Sequence, residues 1–308
     1  MHLFKKKGGA ILVFHSISGK GVFSDNRISP AFFEQVIQFL KKKYRIVPLE
    51  RMVKRLESGD TIPADWVVLT FDDGYKDNVQ SALYILKKYD VVGTFYITLE
   101  VILGKKIFFY DHIQSLIDNA HLKEIVVDYD GKKHRFKLEN QSQKDDAVLR
   151  IVLALREQRQ EVQEKLINDL KCQCLAGWPV SDLSSLYLDA GDVQLLAFSG
   201  MQIGSHTLSH PNLRSLSQGE LHNEIVQSKI ELEAITSKTI SSFSYPYGKK
   251  LTYNETVTNC IQGAGYGNAV TTQFGMVIGG SKKFELPRVG VRESQFARLK
   301  VNLLGIPI

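Results

Sequence analysis

The sequence predicts an α/β protein wound around a parallel sheet and interrupted by an inserted segment. Three observations predict it. Apolar runs at 10–14, 66–69 and 91–97 each lead into polar residues, the pattern of strands buried on both faces. Stretches with helical period separate them, giving the order β-α-β-α-β. From about Gly104 this rhythm changes, and it resumes near Leu188.

The first strand, 10–14, follows Gly8-Gly9 and ends in His15-Ser16. A histidine where a strand meets a loop is placed for chemistry, although a lone one is more often structural. Ser29-Pro30 opens a helix as N-cap and first residue, with Phe32, Phe33, Val36, Ile37 and Leu40 on one face. A short strand at 44–47 and a short helix at 49–56 precede the strand 66–69. Behind it stands Thr70-Phe71-Asp72-Asp73-Gly74-Tyr75. Neighbouring strand residues point to opposite sides, so one aspartate can bind a metal while the other stays free as a base. The plain alternative is a solvated acidic turn. A helix over 78–89 and the strand 91–97 complete the first half.

Between 104 and 180 we expect an inserted, mostly helical subdomain, a lid or partner surface. Asp130-Gly131 sits between two short alternating runs and signals one hairpin. Residues 142–170 read as helical. His121 and His134 have no companions at ligand spacing and read as surface residues. The barrel-type rhythm then returns: a helix over 193–198, a strand over 201–204, and a helix over 217–234 opened by a Ser217/Glu220 capping box. A strand over 242–245, a helix over 253–260 and last strands at 269–272 and 286–291 follow.

At 308 residues, with 44% hydrophobic and 23% charged residues, the chain has the make-up of a soluble globular protein. The net charge of +6 is partly local, in Lys5-Lys6-Lys7, Lys41-Lys42-Lys43 and Lys282-Lys283. It would suit an anionic glycan, a sugar nucleotide or peripheral contact with a membrane surface. It is not the concentrated stripe of a nucleic-acid binder. Cys172, Cys174 and Cys260 read as reduced and structural. No stretch approaches the roughly 20 apolar residues of a membrane span. The apolar run behind the first lysines is too short for a signal peptide, so the expected location is cytoplasmic, or secreted if a leader was removed.

Three strand ends therefore carry ligating or proton-transferring residues: His15, Asp72-Asp73 and His206 with His210, four positions apart. A parallel sheet brings such ends to one face. In a turn or helical start that spacing puts both imidazoles on one side. Two histidines and one carboxylate make a site for a catalytic divalent metal with open positions.

Thr70-Phe71-Asp72-Asp73-Gly74-Tyr75, Ser205-His206-Thr207-Leu208-Ser209-His210-Pro211 and Tyr245-Pro246-Tyr247-Gly248 resemble, in order, three motifs of the NodB-homology polysaccharide deacetylases, carbohydrate esterase family 4. The resemblance spans roughly 10–100 and 190–295 and leaves the insert out. It implies a deformed or incomplete (β/α) barrel, formed by 8–103 and 181–300, and hydrolysis of N- or O-acetyl groups, usually on N-acetylglucosamine units. It implies Asp73, His206 and His210 as ligands of a divalent metal, commonly zinc. It implies Asp72 as general base and the backbone N–H of Tyr247 as oxyanion donor. Two features depart from the common pattern. Ser244 stands where many members carry the arginine that orients the base, and no histidine follows His222 to supply the late general acid. A subgroup acting on poly-N-acetylglucosamine is more similar: it shares Tyr-Pro-Tyr-Gly and takes its acid histidine from an N-terminal strand end. That implies His15 as general acid, and Arg288 is the arginine expected to pair with Asp72. O-acetyl esterase or non-sugar amidase activity on the same site, or an inactive carbohydrate-binding homologue, are the competing expectations.

Overall fold

The computed structural model describes residues 8–18, 27–156, 158, 160–174, 183–297 and 299. The Lys5-Lys6-Lys7 cluster lies outside them. Its centre is a sheet of parallel strands curled into a half-barrel, with helices around it. The strands are β1 (Ala10–Phe14), β2 (Arg45–Ile46), β3 (Trp66–Phe71), β4 (Gly93–Ile97), β7 (Gln202–Ser205), β8 (Ser242–Ser244), β9 (Asn268–Val270) and β10 (Val289–Gly290). They pair in the order β10-β1-β3-β4-β7-β8-β9, with β2 added beside β3. Every residue of β1, β3 and β4 is buried, as continuous apolar runs in a covered parallel sheet require.

The register places the chemistry. Phe14 lies opposite Phe71, and Phe71 opposite Phe95. Their rings stack at 5.3 and 4.5 Å. The strand ends are therefore flush, and His15 and Asp72 emerge side by side. Ile97 lies opposite Ser205 and Ser205 opposite Phe243, which brings His206 and Ser244 to the same level.

The two sheet edges are joined by one segment. Leu286 bridges to Val270 at the β9 edge, and Val289 and Gly290 pair with Leu12 and Val13 of β1. Only Val289–Gly290 is regular strand, shorter than the expected 286–291, because the segment must cross from one edge to the other. Arg288 stands at its centre.

The outer helices are α1 (Pro30–Lys43), α2 (Leu49–Glu57), α3 (Tyr84–Lys88), α4 (Leu99–Ile102), α8 (Ala190–Phe198), α9 (Gln218–Thr236) and α10 (Glu255–Gly263). Ser29 caps α1, and Ser217/Glu220 close the expected capping box of α9. The expected helix over 78–89 begins instead as a π-helical segment, Asn78–Leu83. Wide turns of this kind occur where a functional site constrains the backbone, and Asp77 and Asn78 at its start are tied to the loop behind His15.

Between β4 and α8 lie α5 (Phe109–Asp118), the antiparallel hairpin β5 (Glu124–Tyr129) and β6 (Lys132–Lys137), α6 (Gln141–Leu155) and α7 (Gln160–Cys174). The stretch 142–170, expected to be helical, forms the two helices α6 and α7. These elements bury their own apolar cluster, including Ile113, Ile117, Phe136, Val148 and Ile151. Tyr75 and Tyr187 of the barrel join that cluster. Their hydroxyls donate to the buried Asp111 at 3.0 and 2.7 Å, so the insert is held by a satisfied polar anchor as well as by apolar packing. His134 is not a simple surface residue: its ring stacks on Tyr129 at 3.9 Å, and its Nε2 is buried. His121 is exposed, and the three cysteines are unpaired. No described helix is long and apolar enough to cross a membrane.

Candidate active site

At the C-terminal ends of the strands is a cavity of about 340 Å³ that contains His15, Asp72, Asp73, His206, His210 and Tyr247. All of the residues proposed from the sequence except Arg288 line it, and Arg288 lies directly behind Asp72. The side chains reach it by a route the strand pattern does not give. β3 ends at Phe71, and Asp73 has a left-handed backbone with φ 79°. The turn, not strand alternation, separates the two aspartates, and both face the cavity.

Asp73 and the two imidazoles converge. Asp73 Oδ1 lies 3.4 Å from His206 Nε2 and 3.7 Å from His210 Nε2, and the three ligand atoms fall within 4.8 Å of one another. His206 Nδ1 is 2.8 Å from the Ser244 carbonyl. A carbonyl only accepts, so Nδ1 carries the proton and Nε2 is the atom presented to the cavity. The His206–His210 loop is not helical: Thr207 and His210 have φ 70° and 61°. Glu224 of α9 accepts from the N–H groups of Leu208 and Ser209, both at 2.9 Å. Thr207 Oγ1 accepts from the N–H of His210 at 2.8 Å. With Tyr247 at φ 61°, four non-glycine left-handed residues sit around one cavity. Each costs about 1–3 kcal/mol and persists only where its surroundings hold it.

Asp72 is held separately. Arg288 donates to both its oxygens, at 2.8 and 2.6 Å, a bidentate pair. Arg288 also donates to Thr70 Oγ1 at 3.1 Å, to the Thr271 carbonyl at 2.7 Å and to Ser244 Oγ at 3.1 Å. Ser244 Oγ in turn donates to Asp72 at 3.1 Å. The serine at the position of the common arginine is therefore part of the grip, and the guanidinium arrives from the segment that precedes β10.

Burial alone would raise the Asp72 carboxyl, but the Arg288 guanidinium, with His206, holds it below the usual carboxylate range. Asp73 is also buried, yet the His206 hydrogen bond and the neighbouring imidazoles draw it well below that range. Burial, aided by His206, pushes His210 down to about 3. Burial works the same way on His206, but the two aspartates overcome it and raise its pKa. The two carboxylates thus raise the pKa of His206, while burial keeps His210 neutral, with a lone pair to offer a cation.

The third motif is fixed by its glycine. Gly248 has φ 60°, and a Cβ there would lie 2.4 Å from the Thr272 nitrogen. The Gly248 carbonyl accepts from Thr272 N–H at 3.0 Å, and Thr272 Oγ1 donates to the Tyr247 carbonyl at 2.5 Å. His15 is set from below: Asn78 Nδ2 donates to its carbonyl at 2.9 Å, while Asp77 accepts from Ser16 Oγ at 2.5 Å and Ile17 N–H at 2.8 Å.

Sequence reasoning missed what the insert contributes. Phe109, Tyr110, Leu149, Val152, Leu153 and Arg156 all line the cavity. Tyr110 donates to Asp73 Oδ2 at 3.0 Å, orienting the other oxygen towards the imidazoles. No spacing or motif marks Tyr110, because the contact depends on how α5 packs. Such outer partners of ligands are worth about 10–100-fold in metal affinity. If this group holds a divalent metal, Tyr110→Phe is expected to weaken its binding by about that factor while leaving the fold intact. Calorimetric titration of metal-free protein would check it, and unchanged affinity would remove Tyr110 from the site.

A curled parallel half-barrel with a carboxylate and imidazole cluster at its strand ends defines a deformed (β/α) barrel that carries a possible metal-binding group. The chain belongs to the polysaccharide deacetylase family, whose sequence model matches residues 59–126 and 178–269. Bacillus subtilis YxkH, whose name carries a provisional polysaccharide deacetylase assignment, is 23% identical over 282 residues, covering 91% of this chain and 70% of YxkH. Among solved structures, the Streptococcus pyogenes deacetylase PplD in complex with acetate superposes with a TM-score of 0.63 at 18% identity, covering 96% of this chain and 98% of PplD. IcaB from Ammonifex degensii gives 0.61 at 16% identity, covering 97% of this chain and 98% of IcaB. These superpositions share the half-barrel fold.

Proposed function

We propose that this deacetylase is a metal-dependent hydrolase that removes N-acetyl groups from N-acetylglucosamine-type sugars of a glycan or its precursor. The observation that carries the reading is the division of labour between two adjacent aspartates. Asp72 is gripped by Arg288, while Asp73 faces two imidazoles. One carboxylate oxygen and two Nε2 atoms, one with its tautomer set by a carbonyl, fit a divalent metal with open positions, zinc foremost.

When bound, the ion supplies a Lewis acid that polarises the acetyl carbonyl and lowers the pKa of water from 15.7 towards about 7. The remaining work falls to the chain. Asp72, kept ionised by Arg288, accepts the proton of the attacking water. The Tyr247 N–H donates to the oxyanion that develops on the acetyl group. His15, at the rim of the same cavity, gives a proton to the leaving amine, without which the carbon–nitrogen bond does not break. The insert 104–180 walls the cavity with apolar side chains and excludes water from the reacting centre.

Acetate release from N-acetylglucosamine oligomers should occur with zinc, stop with a chelator and return when zinc is restored. Absence of chelator-sensitive release across N- and O-acetylated glycans would sink the reading. Metal binding should also weaken as pH falls. Ionisation of His206 adds a second proton at Nε2, the nitrogen the metal needs, and its pKa is raised, so the loss begins at a higher pH than for an isolated histidine. Zinc titrations across the neutral to mildly acidic range would show it.

A further inference from the structure

The loop that carries both imidazoles is braced by a helix behind it. Two residues of α9 make the brace, Glu224 and Ser228, four apart and therefore on one face. Both are buried, at 9% and 0% exposure, and neither is among the residues that line the cavity. Glu224 accepts three hydrogen bonds from the turn between the histidines. Leu208 N–H and Ser209 N–H reach its Oε2, and Ser209 Oγ donates to its Oε1. Ser228 Oγ lies 2.8 Å from Ser205 Oγ, which accepts from Thr207 N–H at 3.2 Å. The helix thus grips the loop at two points, one just before each imidazole. From another side the start of α4 closes on the same turn: Leu99 N–H donates to the Thr207 carbonyl at 3.2 Å and Glu100 N–H to the Leu208 carbonyl at 2.8 Å.

The brace opposes a local preference. Thr207 and His210 have left-handed backbones, which a loop without support would leave for ordinary angles. The two Nε2 atoms would then no longer converge on Asp73. A buried carboxylate destabilises unless its hydrogen bonds are made, and the three that satisfy Glu224 run to this one loop. We infer that Glu224, with Ser228 one turn behind it, is a positioning residue that sets the metal affinity of the site without itself being a ligand. This rests on the metal-dependent reading proposed above. The ligands sit on a turn, and the rigid element that holds the turn in a binding geometry is α9.

The test is calorimetric titration of zinc into the metal-free protein, with the unfolding midpoint of each metal-free variant and acetate release measured alongside. Glu224→Ala is expected to weaken zinc binding by about 10–100-fold. Ser228→Ala should weaken it by about fivefold, the effect of one hydrogen bond. Glu224→Gln keeps the shape and an oxygen that can accept from both N–H groups, so it should recover most of the affinity. Leu232→Ala is the control. It empties a fully buried site two turns beyond Glu224 on the same helix, and should lower the unfolding midpoint while leaving zinc affinity unchanged. If Glu224→Ala behaves like Leu232→Ala, with a lower midpoint and unchanged affinity, Glu224 is merely structural and the inference is overturned. Should Glu224→Ala not fold, unchanged affinity in Ser228→Ala overturns it in the same way. No zinc uptake by the wild-type protein would remove the metal reading and this inference with it. Affinities that fall as expected, without acetate release from any glycan, would support the inference and count against the deacetylase reading alone.

Discussion

Replacing Arg288 with methionine is expected to cost about 3–5 kcal/mol of folding stability, measured by urea unfolding at neutral pH. The size follows from what remains. Asp72 is 2% exposed and Arg288 1%, so the variant leaves a buried carboxylate without its guanidinium, with the Ser244 Oγ hydrogen bond and the His206 ring still beside it. Thr70 Oγ1 and the Thr271 carbonyl also lose a donor. The same change should move the acid limb of turnover to higher pH. Burial would then raise the Asp72 carboxyl without the guanidinium to oppose it, and the base would be protonated at a pH where it is now ionised. The sign for stability agrees. A carboxyl depressed in the folded state stabilises above its unfolded pKa, and that contribution is lost as pH falls through the folded value. Arg288→Lys keeps a charge but not the fork, so its loss should be intermediate. Unaltered stability and an unaltered pH profile in Arg288→Met would remove Arg288 from its positioning role.

The second large effect separates the two aspartates. Asp72→Asn is expected to lower kcat by about 10²–10⁴ with zinc content unchanged, the range for losing a general base. The amide oxygen can still accept from Arg288, so the fold should survive. Asp73→Asn should instead lose zinc, because a charged ligand becomes neutral where Tyr110 and both histidines converge. Metal analysis and kinetics on the two proteins give opposite patterns if the roles are divided in this way. Equal zinc loss in both would mean that the aspartates act as a joint ligand set.

Much of the barrel was legible because a buried parallel strand is an apolar run and a strand end is a polar interruption. The runs 10–14, 66–69 and 91–97 carried both signals, and their flush register set His15 and Asp72 together. Arg288 was readable as the partner of Asp72 only through the family resemblance, which implies an arginine where this chain has Ser244. What stayed hidden depends on packing between distant segments. Tyr110 and Arg156 belong to no repeat or spacing, and they reach the cavity only because their helices pack over the strand ends. The left-handed turns at Asp73, Thr207, His210 and Tyr247 contradict local preference at each residue. They exist because contacts such as Glu224 on the His206–His210 loop outweigh that preference. Local rules fail here as they commonly do at functional sites.

The segment that joins the two sheet edges also has a temporal meaning. Arg288 and Asp72 lie 216 residues apart, and loop closure over such a distance delays the contact relative to local ones. The strands β1 to β9 precede this segment in the chain, so a growing polypeptide can lay down most of its sheet while Asp72 still faces water. Docking of 286–290 then does two things at once: it joins the sheet edges and fixes the charge state of the base. Closure of the sheet and neutralisation of the buried Asp72 carboxylate are thus one and the same step.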